Sequence, residues 1–192
     1  HLTSVDQVEK FQKEWTAQRN RVDAMILDIR NNSGGGQEDA IFSWLVRRPT
    51  HLLYSRRGRY PGWDHHLDGP KVILANDQSV SGADALAMLV KHSKIIPIVG
   101  TRTFGALIGG GASYKISGGW TLSVPENGFY WPEMGRWSPE NYGVAPDHVV
   151  ELKPYAITEG RDPQLEKGIE VMLEALKTYR KIADPPPYAP AR

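Results

Sequence analysis

A turn that contains two serines is the strongest candidate for chemistry in this sequence. Residues 76–81 read N-D-Q-S-V-S, between an apolar run at 72–75 and a stretch of helical spacing that follows Ser81. A serine on such a strand-to-helix turn has its hydroxyl at the carboxyl end of the sheet, where free N–H groups of the helix face any developing negative charge. This geometry favours acyl transfer, with Ser79 and Ser81 as candidate nucleophiles. Serine is also a common N-cap residue, so the turn alone leaves a structural role open.

A glycine loop follows a second apolar run and is the next candidate. Residues 28–36 read D-I-R-N-N-S-G-G-G, directly after the run at 24–27. Such a loop can cradle a phosphate or present its N–H groups to an oxyanion. It lacks the Gly-Lys-Ser/Thr ending of a P-loop and the spacing of a dinucleotide fingerprint. An oxyanion hole therefore fits this loop better than a phosphate site.

Alternating strands and helices are expected to position these two segments. Short apolar runs without a polar face predict strands covered on both sides, as in a parallel sheet. Apolar residues spaced by three and four predict helices that pack on that sheet. Residues 100–150, rich in glycine and aromatic residues, predict short strands, and we call them the β-rich extension. The predicted helices are 5–19, a segment through 40–45, one after Ser81 and 163–182; the predicted strands are 24–29, 51–56, 72–75 and 95–99.

A third motif makes the pattern specific. D-x-R-x-N-x-G-G at 28–35, N-[DE]-x-S-x-S at 76–81 and G-x-x-T-F-G at 100–105 occur in this order. With them the chain resembles the S41 family of serine peptidases, the tail-specific and tricorn proteases, over roughly residues 5–152. The resemblance implies an α/β, crotonase/ClpP-like spiral core with a mixed, largely parallel sheet flanked by helices. It also implies a serine endopeptidase or oligopeptide-trimming protease that acts through an acyl-enzyme.

The residue after the T-F-G motif separates the two catalytic branches of that family. In the tail-specific branch it is a lysine that serves as the base, whereas this chain has Ala106, which carries no titratable group. The resemblance is therefore to the tricorn branch, in which a histidine activates the serine and a glutamate orients that histidine through a second serine. Glu140, next to the pattern N-x-G-V-x-P-D at 141–147, matches the segment that supplies the glutamate.

The remaining roles also come from the resemblance. Ser81 stands 25 positions before Ala106, the family's interval from the nucleophile to the lysine position, so the resemblance makes Ser81 the nucleophile. It makes the N–H groups of Gly34 and Gly82 the oxyanion donors. None of the six histidines matches the family's motif, so the catalytic histidine is expected from outside this chain.

Composition narrows the classes of partner. The chain has 23 Lys+Arg against 22 Asp+Glu, so it lacks the positive surface expected of a nucleic-acid-binding protein. It has no cysteine, and no group of His, Asp and Glu has metal-ligand spacing, so we predict no metal and no cofactor. No apolar run has the length of a membrane span. The resemblance implies a peptide or unfolded-protein substrate and a homo-oligomer in the full-length form.

We expect one S41 catalytic core domain at residues 1–183 and a proline-rich tail without regular structure at 184–192. A chain that does not begin with Met is expected to be the C-terminal fragment of a longer one, and that fragment could be inactive alone. The tricorn resemblance slightly favours the cytoplasm and leaves the cell envelope and secretion open.

An alternative function is a non-catalytic ligand- or peptide-binding module on the same fold, as in retinoid-binding relatives of the family. Such a module has no reason to keep Ser81, the glycine loop and Glu140 together, and all three are present. Two expectations concern other residues. The Trp and Tyr residues from Trp120 to Tyr142 are expected either to line a substrate cleft or, by default, to pack beneath the β-rich extension. Arg30 is expected to bind either a substrate carboxylate or a neighbouring acidic residue.

Overall fold

The chain folds into a parallel sheet covered by helices, with short hairpins beside it. The computed structural model describes residues 4–18, 21–47, 54–55, 58–59, 69–132, 135–137 and 140–180. In chain order the elements are α1 (Val5–Gln18), β1 (Met25–Asp28), α2 (Glu38–Val46), β2 (Tyr54–Ser55), β3 (Gly58–Arg59), β4 (Lys71–Ala75), α3 (Gly82–Ser93), β5 (Ile98–Gly100), β6 (Ser113–Lys115), a 3-10 turn (Ser117–Gly119), β7 (Thr121–Ser123), β8 (Tyr130–Trp131), β9 (Arg136–Trp137), β10 (His148–Val149), α4 (Pro154–Thr158) and α5 (Pro163–Thr178).

The central sheet has four strands in the order β1-β4-β5-β10. Each neighbouring pair is parallel, with Leu27 opposite Ile73 and Ile73 opposite Ile98. Because all four strands run the same way, the segments that follow them emerge at one edge of the sheet. The predicted α/β class, with a largely parallel sheet flanked by helices, is confirmed.

Apolar side chains of the sheet are buried on both faces. Successive side chains of a strand point to opposite faces, and the strand β4 shows the consequence. Ile73 joins a core cluster with α1, α2 and α3, whereas Val72 and Leu74 join a second cluster with Met172 of α5. Burying one such side chain contributes about 1.5–3 kcal/mol. The continuous apolar runs in the sequence therefore reflect a sheet with helices on both sides.

The helix α5 is fixed to the end of β1 by a charged cluster around Arg30. The Arg30 guanidinium donates bidentately to Asp162, the N-cap residue of α5, at 2.9 and 2.8 Å, and also to Asp28. Hydrogen bonds to Asp28 and then to Asp162 raise the pKa of Arg30, although burial opposes them. The hydrogen bond from Arg30 lowers the pKa of Asp162. Of the two roles expected for Arg30, the structure therefore shows the tie to neighbouring acids.

The β-rich extension forms two antiparallel hairpins, β6–β7 and β8–β9. Tyr130 and Trp137 make an edge-to-face contact with ring centroids 5.4 Å apart. Trp137 is nevertheless 66% exposed, Trp120 is 72% exposed, and Tyr142 is exposed as well. The expectation that the aromatic residues of this region pack beneath it is wrong for these residues, because two-stranded hairpins offer no second layer to cover them.

Some predicted element boundaries differ from those in the structure. The strand expected at 95–99 begins at Ile98, because Lys94 has a left-handed conformation that ends α3 and Ile95 is exposed. The last helix ends at Thr178 instead of residue 182. Of the strand expected at 51–56, only β2 is described. The tail at 184–192 lies outside the described residues.

Candidate active site

Ser81 has an unusual backbone conformation at the start of α3. Its φ is 57° and its ψ is −116°, in a region that residues other than glycine rarely occupy. Ser81 is the N-cap residue of α3, but an ordinary N-cap residue has a φ and ψ in the β region. A sparsely populated conformation of this kind costs on the order of 1–3 kcal/mol and is concentrated at functional sites. Capping alone does not require this strain.

Ser79, the other serine of the turn, is engaged in the core. Its Oγ donates to the carbonyl of Ile29 at 2.9 Å and accepts from the N–H of Asn76 at 3.1 Å. The residue is fully buried, whereas Ser81 is half-buried. The hydroxyl of Ser79 therefore joins the ends of β1 and β4, and Ser81 is the serine of this turn that a substrate can reach.

The glycine loop lies directly against Ser81. A Cβ atom added to Gly34 would be 2.6 Å from the Cβ of Ser81, and the φ of Gly34 is +101°. A Cβ atom added to Gly82 would be 2.0 Å from the carbonyl oxygen of Gly35. Both contacts are closer than real Cβ atoms allow, so the approach of the two segments requires glycine at these positions. The structure thus brings together three of the predicted site residues: Ser81, Gly34 and Gly82.

The two predicted oxyanion donors differ in their hydrogen bonding. The N–H of Gly34 donates to the side-chain oxygen of Asn32 at 3.2 Å. Gly82 is the first residue of α3, where an N–H group has no acceptor inside the helix. Gly82 therefore presents a donor beside Ser81, and Gly34 would have to share its N–H between Asn32 and an oxyanion.

Asp84 is a functional candidate that the sequence-based interpretation missed. It is fully buried, and its carboxylate accepts from the N–H of Ser81 at 2.9 Å, of Gly105 at 2.9 Å and of Ala106 at 3.2 Å. The spacing Ser81-x-x-Asp84 has the form of a capping box and was the signal that could have identified it. Asp84 connects the serine turn to the T-F-G motif.

Glu140 binds the loop that follows the T-F-G motif. Its Oε2 accepts from the N–H of Leu107 at 2.7 Å and from the N–H of Ile108 at 2.8 Å. The N–H of the next residue, Asn141, donates to the carbonyl of Gly105 at 2.7 Å. Glu140 is therefore attached to the loop that follows T-F-G.

The segment that follows Glu140 is held against the T-F-G motif by reciprocal bonds. Val144 donates its N–H to the Thr103 hydroxyl at 2.7 Å, and the N–H of Thr103 donates to the Val144 carbonyl at 3.1 Å. A Cβ atom added to Gly143 would be 2.1 Å from the Thr103 carbonyl oxygen. The third motif and the N-x-G-V-x-P-D pattern therefore form one unit at the edge of the sheet.

Comparisons with known proteins identify the family of this chain. The family model described as Peptidase family S41 matches residues 1–150. This chain belongs to peptidase family S41. It is 31% identical over 174 residues to the tricorn protease of Thermoplasma volcanium and 34% identical over 156 residues to tricorn protease homolog 1 of Streptomyces coelicolor. These matches cover 90% and 81% of this chain but only 17% and 14% of the relatives.

A solved structure supports the same family. The crystal structure of the tricorn protease superposes with a TM-score of 0.71 at 28% identity, covering 81% of this chain and 15% of that chain. The predicted family and the predicted fold are confirmed by these matches. The S41 chain spans less than a fifth of the length of the curated relatives given above.

A cleft of about 290 Å³ opens beside Ser81 in this S41 chain. Among the described residues that line it, Glu38 is the one ionisable side chain, and its Oε2 is buried without a hydrogen-bond partner in the described part of the chain. Backbone of the glycine loop, the start of α3 and the β-rich extension form most of the wall. The lining residues are Gly35, Gly36, Glu38, Ser81, Gly82, Leu107, Gly109, Gly110, Asn127 and Phe129.

Neither histidine in the described part of this S41 chain lines the cleft. His92, in the last turn of α3, lies 6.3 Å from the ring of Trp131, and His148 begins β10. The other four histidines lie outside the described residues. Within the described ranges, no three metal-ligating side chains converge, and no helix has the length and apolar character needed to cross a membrane.

Proposed function

We propose that this chain is the catalytic domain of a tricorn-like serine peptidase in which Ser81 forms the acyl-enzyme. The strained backbone of Ser81, pressed against the glycine loop at the mouth of a cleft, carries this proposal. The Oγ of Ser81 attacks the peptide carbonyl carbon and its proton passes to a base. The C–N bond then breaks, the amine leaves with that proton, and water hydrolyses the resulting ester.

The oxyanion is proposed to bind to the N–H groups of Gly82 and Gly34. Gly82 offers an N–H without an intrahelical acceptor, and Gly34 lies within contact distance of Ser81. Gly34 would contribute by sharing the N–H that it donates to Asn32. Removing one donor of this type commonly costs about 3 kcal/mol of transition-state stabilisation.

The base is proposed to be a histidine from outside this chain. Ala106 has no proton-accepting group, and neither of the two described histidines lines the cleft. The relatives are several times longer than the matched segment, which leaves room for a base elsewhere in such a protein. Glu140 would orient this histidine through its Oε1, because both bonds from the loop go to its Oε2.

Peptides or unfolded proteins are the proposed substrates, with trimming of oligopeptides as the reaction and a homo-oligomer as the assembly. The support is the similarity to proteins named tricorn protease. The alternative of a non-catalytic binding module is less well supported, since a binding site gains nothing from a strained serine beside glycine amides.

The proposal is tested on the full-length protein with peptide substrates and a serine-reactive phosphonate. Wild type is expected to cleave peptide and to be labelled, whereas Ser81→Ala should lose both at an unchanged melting temperature. Ser113→Ala, in an exposed hairpin, is the matched control and should behave as wild type. Full peptidase activity in Ser81→Ala would contradict the assignment.

A further inference from the structure

The loop that joins T-F-G to the β-rich extension is held by two carboxylates. Four consecutive N–H groups, at residues 105–108, donate to them in two pairs. The first pair donates to Asp84 and the second pair donates to Glu140. A further bond, from the N–H of Phe104 to the Ser79 carbonyl at 3.0 Å, ties the start of the loop to the serine turn. These five hydrogen bonds together determine the path of the loop.

Asp84 also bonds the nucleophile turn itself. Its Oδ2 accepts from both Ser81 and Ala106, and its Oδ1 accepts from Gly105. A fully buried carboxylate is unfavourable unless donors surround it. If the backbone at Ser81 relaxed towards an ordinary N-cap conformation, Asp84 would lose one of its three donors. The buried charge therefore favours the strained conformation.

The loop itself leaves little room for adjustment. Gly105 has a φ of +85°, and a Cβ atom there would be 2.5 Å from the N–H nitrogen of Gly143. Gly143 belongs to the segment that also carries Glu140. Movement of the serine turn relative to Glu140 would therefore break the bonds of Asp84 or push Gly105 into Gly143.

We propose that Asp84 is a positioning residue, which holds Ser81 in its reactive conformation and fixes its placement relative to Glu140 through the loop at 105–108. This role rests on the proposed function, in which Ser81 is the nucleophile and Glu140 orients the base. The bonds that the carboxylate of Asp84 makes in the structure go to backbone N–H groups and not to the hydroxyl of Ser81. Asp84 acts mainly on the rate of attack by Ser81, because Leu107 is the one residue of the loop at 105–108 among the described residues that line the cleft.

Asp84→Asn in the full-length protein tests this role. Asparagine keeps the size of the side chain but has a single acceptor oxygen, so in either orientation of the amide at least one of the three N–H donors faces an N–H₂ group. We expect phosphonate labelling of Ser81 to slow by about 100-fold, the effect of a misplacement of about 1 Å. The kcat for a peptide substrate should fall with it, while KM changes little.

Asp162→Asn is the matched control, because Asp162 is also a helix-start carboxylate that accepts from a backbone N–H, that of Leu165 at 3.0 Å. It should lower the melting temperature and leave the labelling rate of Ser81 at the wild-type value. Equal slowing of labelling in both variants would overturn the proposal, since general destabilisation would then explain it. Wild-type labelling in Asp84→Asn would also overturn it.

Asp84→Ser is the second variant, in case the asparagine does not fold. Its smaller side chain leaves space for water to satisfy the N–H groups, and slow labelling is again expected. Hydrogen exchange of the peptide that covers residues 104–108 should rise in a folded Asp84 variant and not in Asp162→Asn; unchanged exchange would overturn the proposal. If wild type itself is not labelled at Ser81, the proposed function fails. If wild type is labelled but the Asp84 variants are labelled equally fast, only the positioning role of Asp84 fails.

Discussion

The serine turn and the hairpins of the β-rich extension differ in how closely the rest of the chain packs around them and bonds to them. Around Ser81, glycine contacts and buried hydrogen bonds fix each neighbouring segment. In the hairpins, large aromatic side chains such as Trp120 and Trp137 remain exposed. The difference indicates that the described chain fixes Ser81 by its own contacts, whereas its hairpins contribute surface. Substitutions in the two regions should therefore have very different effects.

The largest effect is expected from Gly34→Ala. The new Cβ would overlap the Cβ of Ser81, so the turn must shift, and a shift of about 1 Å can lower the rate of catalysis about 100-fold. Gly119→Ala in the β-rich extension is the control, because Gly119 also has a positive φ, of +81°, but has no atom within 4 Å of its added Cβ. Peptidase assays of both variants compare the two regions directly. Equal activity of the two would show that contact with Ser81 is not what requires Gly34.

An intermediate effect is expected from Arg30→Met, which removes the ties to Asp28 and Asp162. The Arg30 side chain is only 12% exposed, and losing these bonds should lower the free energy of unfolding by about 1–3 kcal/mol. Chemical denaturation measures this loss. Labelling of Ser81 should stay near the wild-type rate, because Arg30 makes no hydrogen bond to the serine turn among those that the structure describes. Slow labelling in a folded variant would show that the cluster also supports the site.

The ion pair between Arg30 and Asp162 also predicts that the free energy of unfolding depends on pH. Because the folded pKa of Asp162 is lowered by Arg30, its contribution is present above the unfolded pKa and is lost as the pH falls through the folded pKa. Wild type should therefore lose more stability than Arg30→Met over that acidic range. Denaturation curves at a series of pH values provide the comparison, and parallel losses in both proteins would contradict it.

The smallest effect is expected from Trp137→Ser in the β8–β9 hairpin. An exposed side chain away from the core usually changes the free energy of unfolding by less than about 0.5 kcal/mol when replaced. The lost contact with Tyr130 is one edge-to-face pair. Thermal unfolding of this chain should thus barely change. A loss of more than about 2 kcal/mol would be typical of a buried side chain and would remove the contrast between the two regions.

The sequence predicted the parts of the fold that repeat a simple pattern. The runs that form β1 and β4 are buried on both faces, so their apolar residues carry the signal without knowledge of the partners. The proximity of Ser81 and Gly34 could be expected because both follow neighbouring parallel strands. The start of β5 was predicted too early because the left-handed turn at Lys94 has no glycine to mark it.

Other parts depend on contacts that no local pattern encodes. The bond between Asp84 and Gly105 spans 21 residues and exists because the loop returns to the start of α3. The bonds of Glu140 to the loop arise in the same way, across 33 and 32 residues. The exposure of Trp120 and Trp137 was not predictable, because aromatic residues in short strands are compatible with both a covered and an open surface.

The measurement that tests the central claim most directly is trapping of the acyl-enzyme. The full-length protein is mixed with an activated peptide ester, quenched in acid, digested and mapped by mass spectrometry. One acyl group per chain is expected, on Ser81. An acyl group on another residue, or peptide cleavage without any covalent intermediate, would contradict the account.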